Sequence, residues 1–371
     1  MNYDVVIIGG GLAGLTAALH LNQSGFQVSV VEKNQYPNHK VCGEYVSNEV
    51  KPYLKNLGVD LDNMECPQID TLQLSTHSGQ SITAKLPLGG FGISRYELDA
   101  ILYQNALVRN IPFFFGTATD IQFLNDNFHI TVPGHQKLKA KWVIGAYGKR
   151  SILDKKLNRT FMSNKSPWLG VKCHYAYDDF PNNLVALHNF KGGYGGLSKT
   201  ERGHVNFCYL TTFESFKNYK NVAEFNLKVV SLNPFLGQFL RNASPVFEKP
   251  ISIAQVSFER KKPVQNHILM CGDSAGLIHP LCGNGMAMAI HAAKIASECI
   301  IQSKVQSRDF IEKAYAKRWK KEFRNRLWTG RQLQRLLISE FGANMAIRTV
   351  TKSEKLLRSM IRRTHGKPIL V

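Results

Sequence analysis

No stretch of about 18 uncharged apolar residues occurs in the 371-residue chain, which argues against a membrane-spanning helix. The N-terminus enters an apolar run at once, without a basic leader or a small-residue cleavage site, so a signal peptide is not expected. The seven cysteines, at 42, 66, 173, 208, 271, 282 and 299, are odd in number and lack CxxC or HxxxH spacing. They suit reduced thiols in a cytoplasmic protein, and no metal site is expected. Internal repeats, low-complexity segments and a nucleophile triad are also absent. Acidic residues are scarce, with 27 Asp and Glu against 47 Lys and Arg.

What is present is concentrated first in residues 1–33. An unbroken apolar run, Val5 to Ile8, suits a buried parallel strand, and Gly9, Gly11 and Gly14 follow it as Gly-x-Gly-x-x-Gly. That spacing provides a tight turn, close approach of a pyrophosphate to backbone N–H groups, and close packing of helix on strand. Leu12 and Ala13 open the helix, whose unpaired N–H groups and dipole favour phosphate. A second apolar run, Val28 to Val31, ends in Glu32 and Lys33. Glu32 stands 18 positions beyond Gly14, where a carboxylate can accept both hydroxyls of an adenosine ribose and disfavours a 2′-phosphate. The unit therefore predicts FAD or NAD and does not by itself choose between them.

Further along, Ser47 to Leu57 is expected to be helical and Ile69 to Leu86 to form a hairpin turning at Ser78-Gly79. Ser94 to Glu97 forms a capping box for a helix carrying Leu98, Ile101, Leu102, Ala106 and Leu107 on one face. Short strands follow, ending with Lys139 to Ile144. Residues 167–258 are rich in aromatics and β-formers and read as an antiparallel sheet with one helix near Val222 to Ser231. Strand character of the first kind resumes at His267 to Cys271, followed by Gly272, Asp273 and a small-residue helix from Ala287. The second domain is thus expected to be inserted into the first.

Residues 315–371 hold 15 Lys and Arg against 3 Asp and Glu, so 12 of the 20 net positive charges lie there. A basic, helical segment of this kind is either a solvated face or a docking surface. No nucleic-acid-binding fold signature accompanies it, although Arg324, Arg331, Arg335, Arg362 and Arg363 are interleaved with Trp319, Phe323 and Trp328. An acidic carrier protein or an anionic membrane surface is the expected partner, and no nucleic acid is expected.

Four separated features together resemble the FAD-dependent oxidoreductase superfamily of para-hydroxybenzoate hydroxylase type monooxygenases and geranylgeranyl reductases. They are the Gly9/Gly11/Gly14/Glu32 unit, Arg95 with Leu98-Asp99, the Gly145 to Arg150 element, and Gly272-Asp273 followed by Pro280, Gly283 and Gly285. The resemblance covers most of residues 1–305 and implies FAD as the cofactor. It implies an α/β fold, with a discontinuous Rossmann-like FAD-binding domain of ββα type at 1–75, 93–160 and 260–305. Residues 76–92 and 161–259 would form the inserted antiparallel-sheet substrate domain, and 306–371 a basic helical C-terminal segment. It further implies that Arg95 reaches the flavin side of the cofactor and that Asp273 contacts ribityl or pyrophosphate. Gly283, Asn284, Gly285 and Met286 at a helix start can bring N–H groups to the flavin's pyrimidine edge.

Lys40-Val41-Cys42-Gly43-Glu44 is similar to the Lys-Pro-Cys-Gly stretch of geranylgeranyl reductases, near the flavin ring in those proteins. Cys42 as a redox thiol, Glu44 as a buried acid or base of raised pKa, and His279 as a proton donor are the catalytic candidates. Two departures stand out: Tyr147-Gly148 replaces the superfamily's Asp-Gly, and the reductases' Tyr-x-Trp-x-Phe-Pro is missing. A Trp-x-Trp-x-Ile-Pro run is also absent, which speaks against a flavin halogenase. The leading expectation is a monooxygenase hydroxylating an apolar or aromatic, polyketide-like or isoprenoid substrate, carrier-bound or free. The alternatives are a reductase of lipid double bonds, and a flavoprotein whose basic tail binds an acidic partner or nucleic acid. With no second dinucleotide unit, NAD(P)H would bind transiently or a separate reductase would donate electrons. Phe190, Tyr194, Phe207 and Tyr209 are candidate pocket walls.

Overall fold

The computed structural model describes residues 1–278, 283–338, 342, 345, 361 and 366–370. Among these, two sheets organise the chain. In the first, five parallel strands run in the spatial order Ile268–Met270, Leu138–Gly145, Asn2–Ile8, Val28–Glu32, Phe113–Phe115. Strand order therefore reverses between Asn2–Ile8 and Leu138–Gly145, the place where an open α/β sheet forms a crevice at its carboxyl edge. Val5, Val6, Ile7, Val30, Val143 and Ile144 are completely buried, as strands of a covered parallel sheet are. The helix Leu12–Gln23 packs against Gly285–Ile301 and Arg95–Val108.

The second sheet is mostly antiparallel and carries the middle of the chain, with Trp168–Ala176, Leu184–Phe190, Gly193–Lys199 and Val205–Thr212 as its centre. One face buries Val171, Cys173, Tyr175, Phe207 and Tyr209 against helices that include Val222–Lys228 and Pro234–Asn242. With a two-residue period, the other face presents Gly170, Lys172 and His174, then Tyr194, Gly196 and Ser198, then Asn206, Cys208 and Leu210. That face is turned to the first domain.

Two expectations need correction. Residues 68–75 fall inside the first domain by the sequence boundaries, yet the strand Gln68–Ser75 pairs with Ser81–Gly92 and Leu184–Phe190 in the second sheet. Its alternating pattern fits either sheet, and only its partners decide. The capping box at Ser94 is half formed. Ser94 Oγ accepts from Glu97 N at 3.0 Å, but the Ser94 N–H donates to Glu201 Oε2 at 2.7 Å, so a residue of the second sheet domain completes the cap. The basic C-terminal segment is helical over Arg308–Ile338, and no helix among the described residues is long and apolar enough to cross a membrane.

Candidate active site: a dinucleotide groove opening into an apolar chamber

Gly9 adopts φ +104°, a left-handed conformation in which a side chain would collide with the Ala146 carbonyl. At Gly14 a Cβ would run into the Gly9 carbonyl oxygen, so only glycine lets the helix Leu12–Gln23 sit this close to the strand. Gly11 differs. A Cβ there would lie 3.5 Å from Arg95 Nη2 and 4.0 Å from Lys40 Nζ and would touch no backbone, so its bareness is not required by the protein's own packing. Gly11 is also the N-cap and provides no side-chain cap, leaving helix N–H groups open towards two cations. This cradle fits a pyrophosphate.

Arg95 is fixed by Asp99, to which Nε and Nη2 both donate at 2.8 Å, and Lys40 Nζ donates to the same carboxylate at 2.7 Å. Burial would raise the Asp99 carboxyl, but Arg95 and then Lys40 outweigh it and hold it ionised. The resemblance puts Arg95 at the flavin side, whereas its guanidinium lies over Gly11, at the phosphate turn. Glu32 is buried at the end of its strand, where its carboxylate accepts Gly10 N at 2.6 Å and Asn34 N at 3.0 Å. Those bonds aim it across the groove beside Lys33.

Across the crevice, Gly272 and Gly283 have φ +59° and +60°. Leu12, Ala13, Asp273, Asn284, Gly285 and Met286 line the same cavity as the glycine turn. Asp273 is held through its backbone: Lys261 Nζ donates to the carbonyls of Asp273 at 2.8 Å and Lys149 at 2.9 Å. Burial brings the Lys261 ammonium down to about 8. The helix Gly285–Ile301 starts after Asn284 without a side-chain cap, so its N–H groups also face the cavity. Tyr147, standing where the superfamily has Asp, points away: its hydroxyl donates to Asp154 Oδ1 at 3.2 Å. Arg159 donates to the same Asp154 oxygen at 2.8 Å and to the Ser274 carbonyl at 2.7 Å, tying two turns of the groove together.

Glu44 is completely buried and has φ 55°, a backbone region that favours glycine. Its side chain offsets that strain. Oε1 accepts from the Arg95 N–H at 2.7 Å and from Lys172 Nζ, and Oε2 accepts from His174 Nε2 at 2.6 Å. Burial raises its pKa, but the His174 hydrogen bond and the Lys172 ammonium prevail, and the carboxyl sits below the ordinary glutamate value. The expected raised pKa is therefore corrected. Glu44 is buried, as expected, but partners from a distant strand keep it charged.

Around it, the loop 40–43 is held by its carbonyls. Lys172 donates to Lys40 O at 3.3 Å, Lys149 to Val41 O at 3.0 Å, Asn206 to Cys42 O at 3.1 Å, and Ser198 to Gly43 O at 3.1 Å. Cys42 is partly exposed and lines the cavity. His279, the third catalytic candidate, lies outside the described residues.

The cavity has a volume of about 1450 Å³ and continues past Cys42 into a chamber walled by Leu72, Leu74, Ile82, Leu86, Val185, Leu187, Leu210 and Ile253. Gly170 and Gly196 leave the space open, and Met345 and Ile361 of the C-terminal segment close part of it. Of the aromatic candidates, Tyr194 lies on the cavity face, whereas Phe190, Phe207 and the Tyr209 ring belong to the core behind the sheet. The sequence motifs contain Lys40, Asp99 and Lys149 without marking a role for them, and they miss Lys172 and His174 altogether. Strand parity could have pointed to the last two, since both alternate with the buried Val171, Cys173 and Tyr175.

A parallel sheet with a phosphate-binding turn at its switch point, facing an apolar chamber built on a second sheet, defines a dinucleotide-dependent oxidoreductase. Residues 2–302 match the family described as FAD binding domain, and the chain belongs to it. FAD is thus the cofactor, and Gly9, Gly11, Gly14, Glu32, Arg95 and Asp273 fit it by the arrangement above. The chain is 25% identical to a 1H-pyrrole-2-carbonyl-[peptidyl-carrier protein] chlorinase of Pseudomonas fluorescens, with 85% of this chain and 79% of that protein covered. It is 27% identical to digeranylgeranylglycerophospholipid reductase 1 of Methanosphaera stadtmanae, covering 84% and 79%. In fold it is similar to the flavin-dependent brominase Bmp2, with a TM-score of 0.81 at 18% identity over 98% of this chain and 93% of that one. A geranylgeranyl bacteriochlorophyll reductase-like protein from Thermoplasma acidophilum gives 0.78 at 17% identity over 99% and 96%.

Proposed function

We propose that this FAD-dependent oxidoreductase is a monooxygenase that hydroxylates an apolar substrate, an aromatic polyketide-like ring or an isoprenoid, free or on a carrier. The carrying observation is the apolar chamber that runs without a partition into the dinucleotide groove. Bound and reduced, FAD supplies two electrons and activates O2, one oxygen atom entering a C–H bond of the substrate and the other leaving as water. The chain's own residues bind, orient and exclude water. Gly9 to Gly14 with Arg95 and Lys40 neutralise the pyrophosphate, Glu32 accepts from the adenosine ribose, and Asp273 accepts from hydroxyls of the ribityl region. The N–H groups at Gly285 and Met286 would face the pyrimidine edge of the flavin and favour negative charge there. Leucine, isoleucine and valine walls would exclude water from the chamber. Glu44 positions the loop bearing Cys42 and does not itself exchange a proton. A carrier-bound substrate accords with the chlorinase relative, whose name specifies one.

A second reading is reduction of a lipid double bond, favoured by Cys42 lining the cavity within a Lys40 to Glu44 run that resembles the reductases. NAD(P)H binding transiently, or a partner reductase, supplies electrons in either case. One experiment separates the two. FAD-loaded protein is photoreduced anaerobically and offered long-chain alkylphenols and prenyl lipids, with and without air, and products are weighed by mass spectrometry. Monooxygenation gives a gain of one oxygen in air alone. A gain of two hydrogens under argon selects the reductase, and no product in either arm rejects both.

A further inference from the structure

The helix Arg308–Ile338 has two faces with different fates. Ile311, Tyr315, Trp319, Phe323 and Leu327, spaced every four residues, are buried in the core of the FAD-binding domain, so the helix is clamped in one orientation. The face opposite presents Lys313, Lys317, Lys320, Lys321 and Arg324 to solvent and ends at Trp328, which is 50% exposed. Other cations of this helix are consumed: Arg318 pairs with Glu298, and Arg326 with Glu322 at 2.6 Å. On the outer face only Lys313 is paired, with Asp309 at 2.7 Å, and Lys317, Lys320, Lys321 and Arg324 have no ion pair among the described residues.

We infer that this face docks the protein on an anionic lipid surface. Four of its five cations are lysines, compact charges on flexible stems that suit a diffuse negative plane. Bidentate recognition of carboxylates on a protein partner would favour arginine. An exposed indole at the end of such a stripe is the side chain that settles at a membrane–water interface, with the lysine stems lying along the apolar boundary and their heads in water. Met345 follows in the same segment. It is 53% exposed and also lines the chamber, so the chamber reaches the surface in this C-terminal region. An apolar substrate dissolved in the bilayer would then enter without crossing water. That last link rests on the proposed substrate, whereas the docking itself does not.

Flotation of the full-length, FAD-loaded protein with vesicles tests it independently of turnover. Vesicles of phosphatidylcholine mixed with phosphatidylglycerol should bind, phosphatidylcholine alone should not, and raised salt should release the protein. Each surface cation is worth about fivefold in affinity, so the triple variant K320Q/K321Q/R324Q should bind roughly a hundredfold more weakly. Its flavin spectrum and Tm should be unchanged, and W328S should weaken binding with salt sensitivity retained. Equal partitioning to both lipids, no binding to either, or a triple variant binding like the parent would overturn the inference. Tight binding to an acidic acyl carrier protein in place of the vesicles would also overturn it.

Discussion

Glu44 and Lys172 form an ion pair in which both side chains are completely excluded from solvent, linking a loop of the FAD-binding domain to the strand Trp168–Ala176 of the second sheet. Two charges taken out of water gain little net stability as a pair, but losing one partner leaves the other stranded. E44Q should therefore cost about 3–5 kcal/mol of unfolding free energy in a denaturant titration. The double variant E44Q/K172M should recover most of it. Recovery of folding without recovery of turnover would assign the pair to positioning the Cys42 loop.

Acid should destabilise the protein before its surface carboxylates titrate. His188, stacked on Phe235 and buried, accepts at Nδ1 from Ser75, whose hydroxyl in turn accepts from Asn233 at 3.0 Å. Burial holds its imidazole down to about 4. The folded pKa is below the unfolded value of about 6.5, so this stability is present above 6.5 and is lost as pH falls towards 4. The amount is about 3 kcal/mol by linkage. Glu44, also lowered, adds to the loss further into acid as pH drops through its folded pKa. Glu49 acts oppositely, because burial raises its carboxyl and its contribution disappears as pH rises through the folded value. Unfolding curves between pH 4 and 8 should flatten in H188Q; an unchanged slope would remove His188 from the account.

Two glycines of one turn should respond differently to alanine. G14A places a methyl against the Gly9 carbonyl and should lower the stability of the apoprotein by roughly 1–3 kcal/mol, FAD present or not. G11A has no backbone to meet, so apoprotein stability should hold while FAD occupancy falls more than tenfold. Calorimetry of the apoprotein and the flavin-to-protein absorbance ratio read these separately.

The groove was legible in the sequence because its chemistry is local: Gly9 to Gly14, Glu32 and Gly272-Asp273 each fix a turn within a few residues. The Glu44 environment was not. The direction of its pKa depends on Lys172 and His174, which are 128 and 130 residues away and reach it only through strand register. The boundary at residue 75 cuts the hairpin for a similar reason, since alternation predicts the strand Gln68–Ser75 without naming its neighbours. Among the aromatics, period-two patterning separates two faces of the second sheet. It does not say which face is covered by helices, so Phe190 and Phe207 were indistinguishable from Tyr194. Trp319 and Phe323, read beside the arginines as a mixed basic and aromatic run, prove to be core residues on the inner face of their helix.

The apolar chamber is the proposed substrate site against the flavin. Gly196 lies in its wall, and a Cβ there would approach Leu187 Cδ2 at 3.3 Å, so a phenylalanine must project into the chamber. Titrating the FAD-loaded protein with a long-chain alkylphenol should perturb the visible flavin spectrum saturably. In G196F, with FAD occupancy unchanged, the apparent Kd should rise at least tenfold. A perturbation of the same affinity in G196F would place the substrate elsewhere and contradict the account.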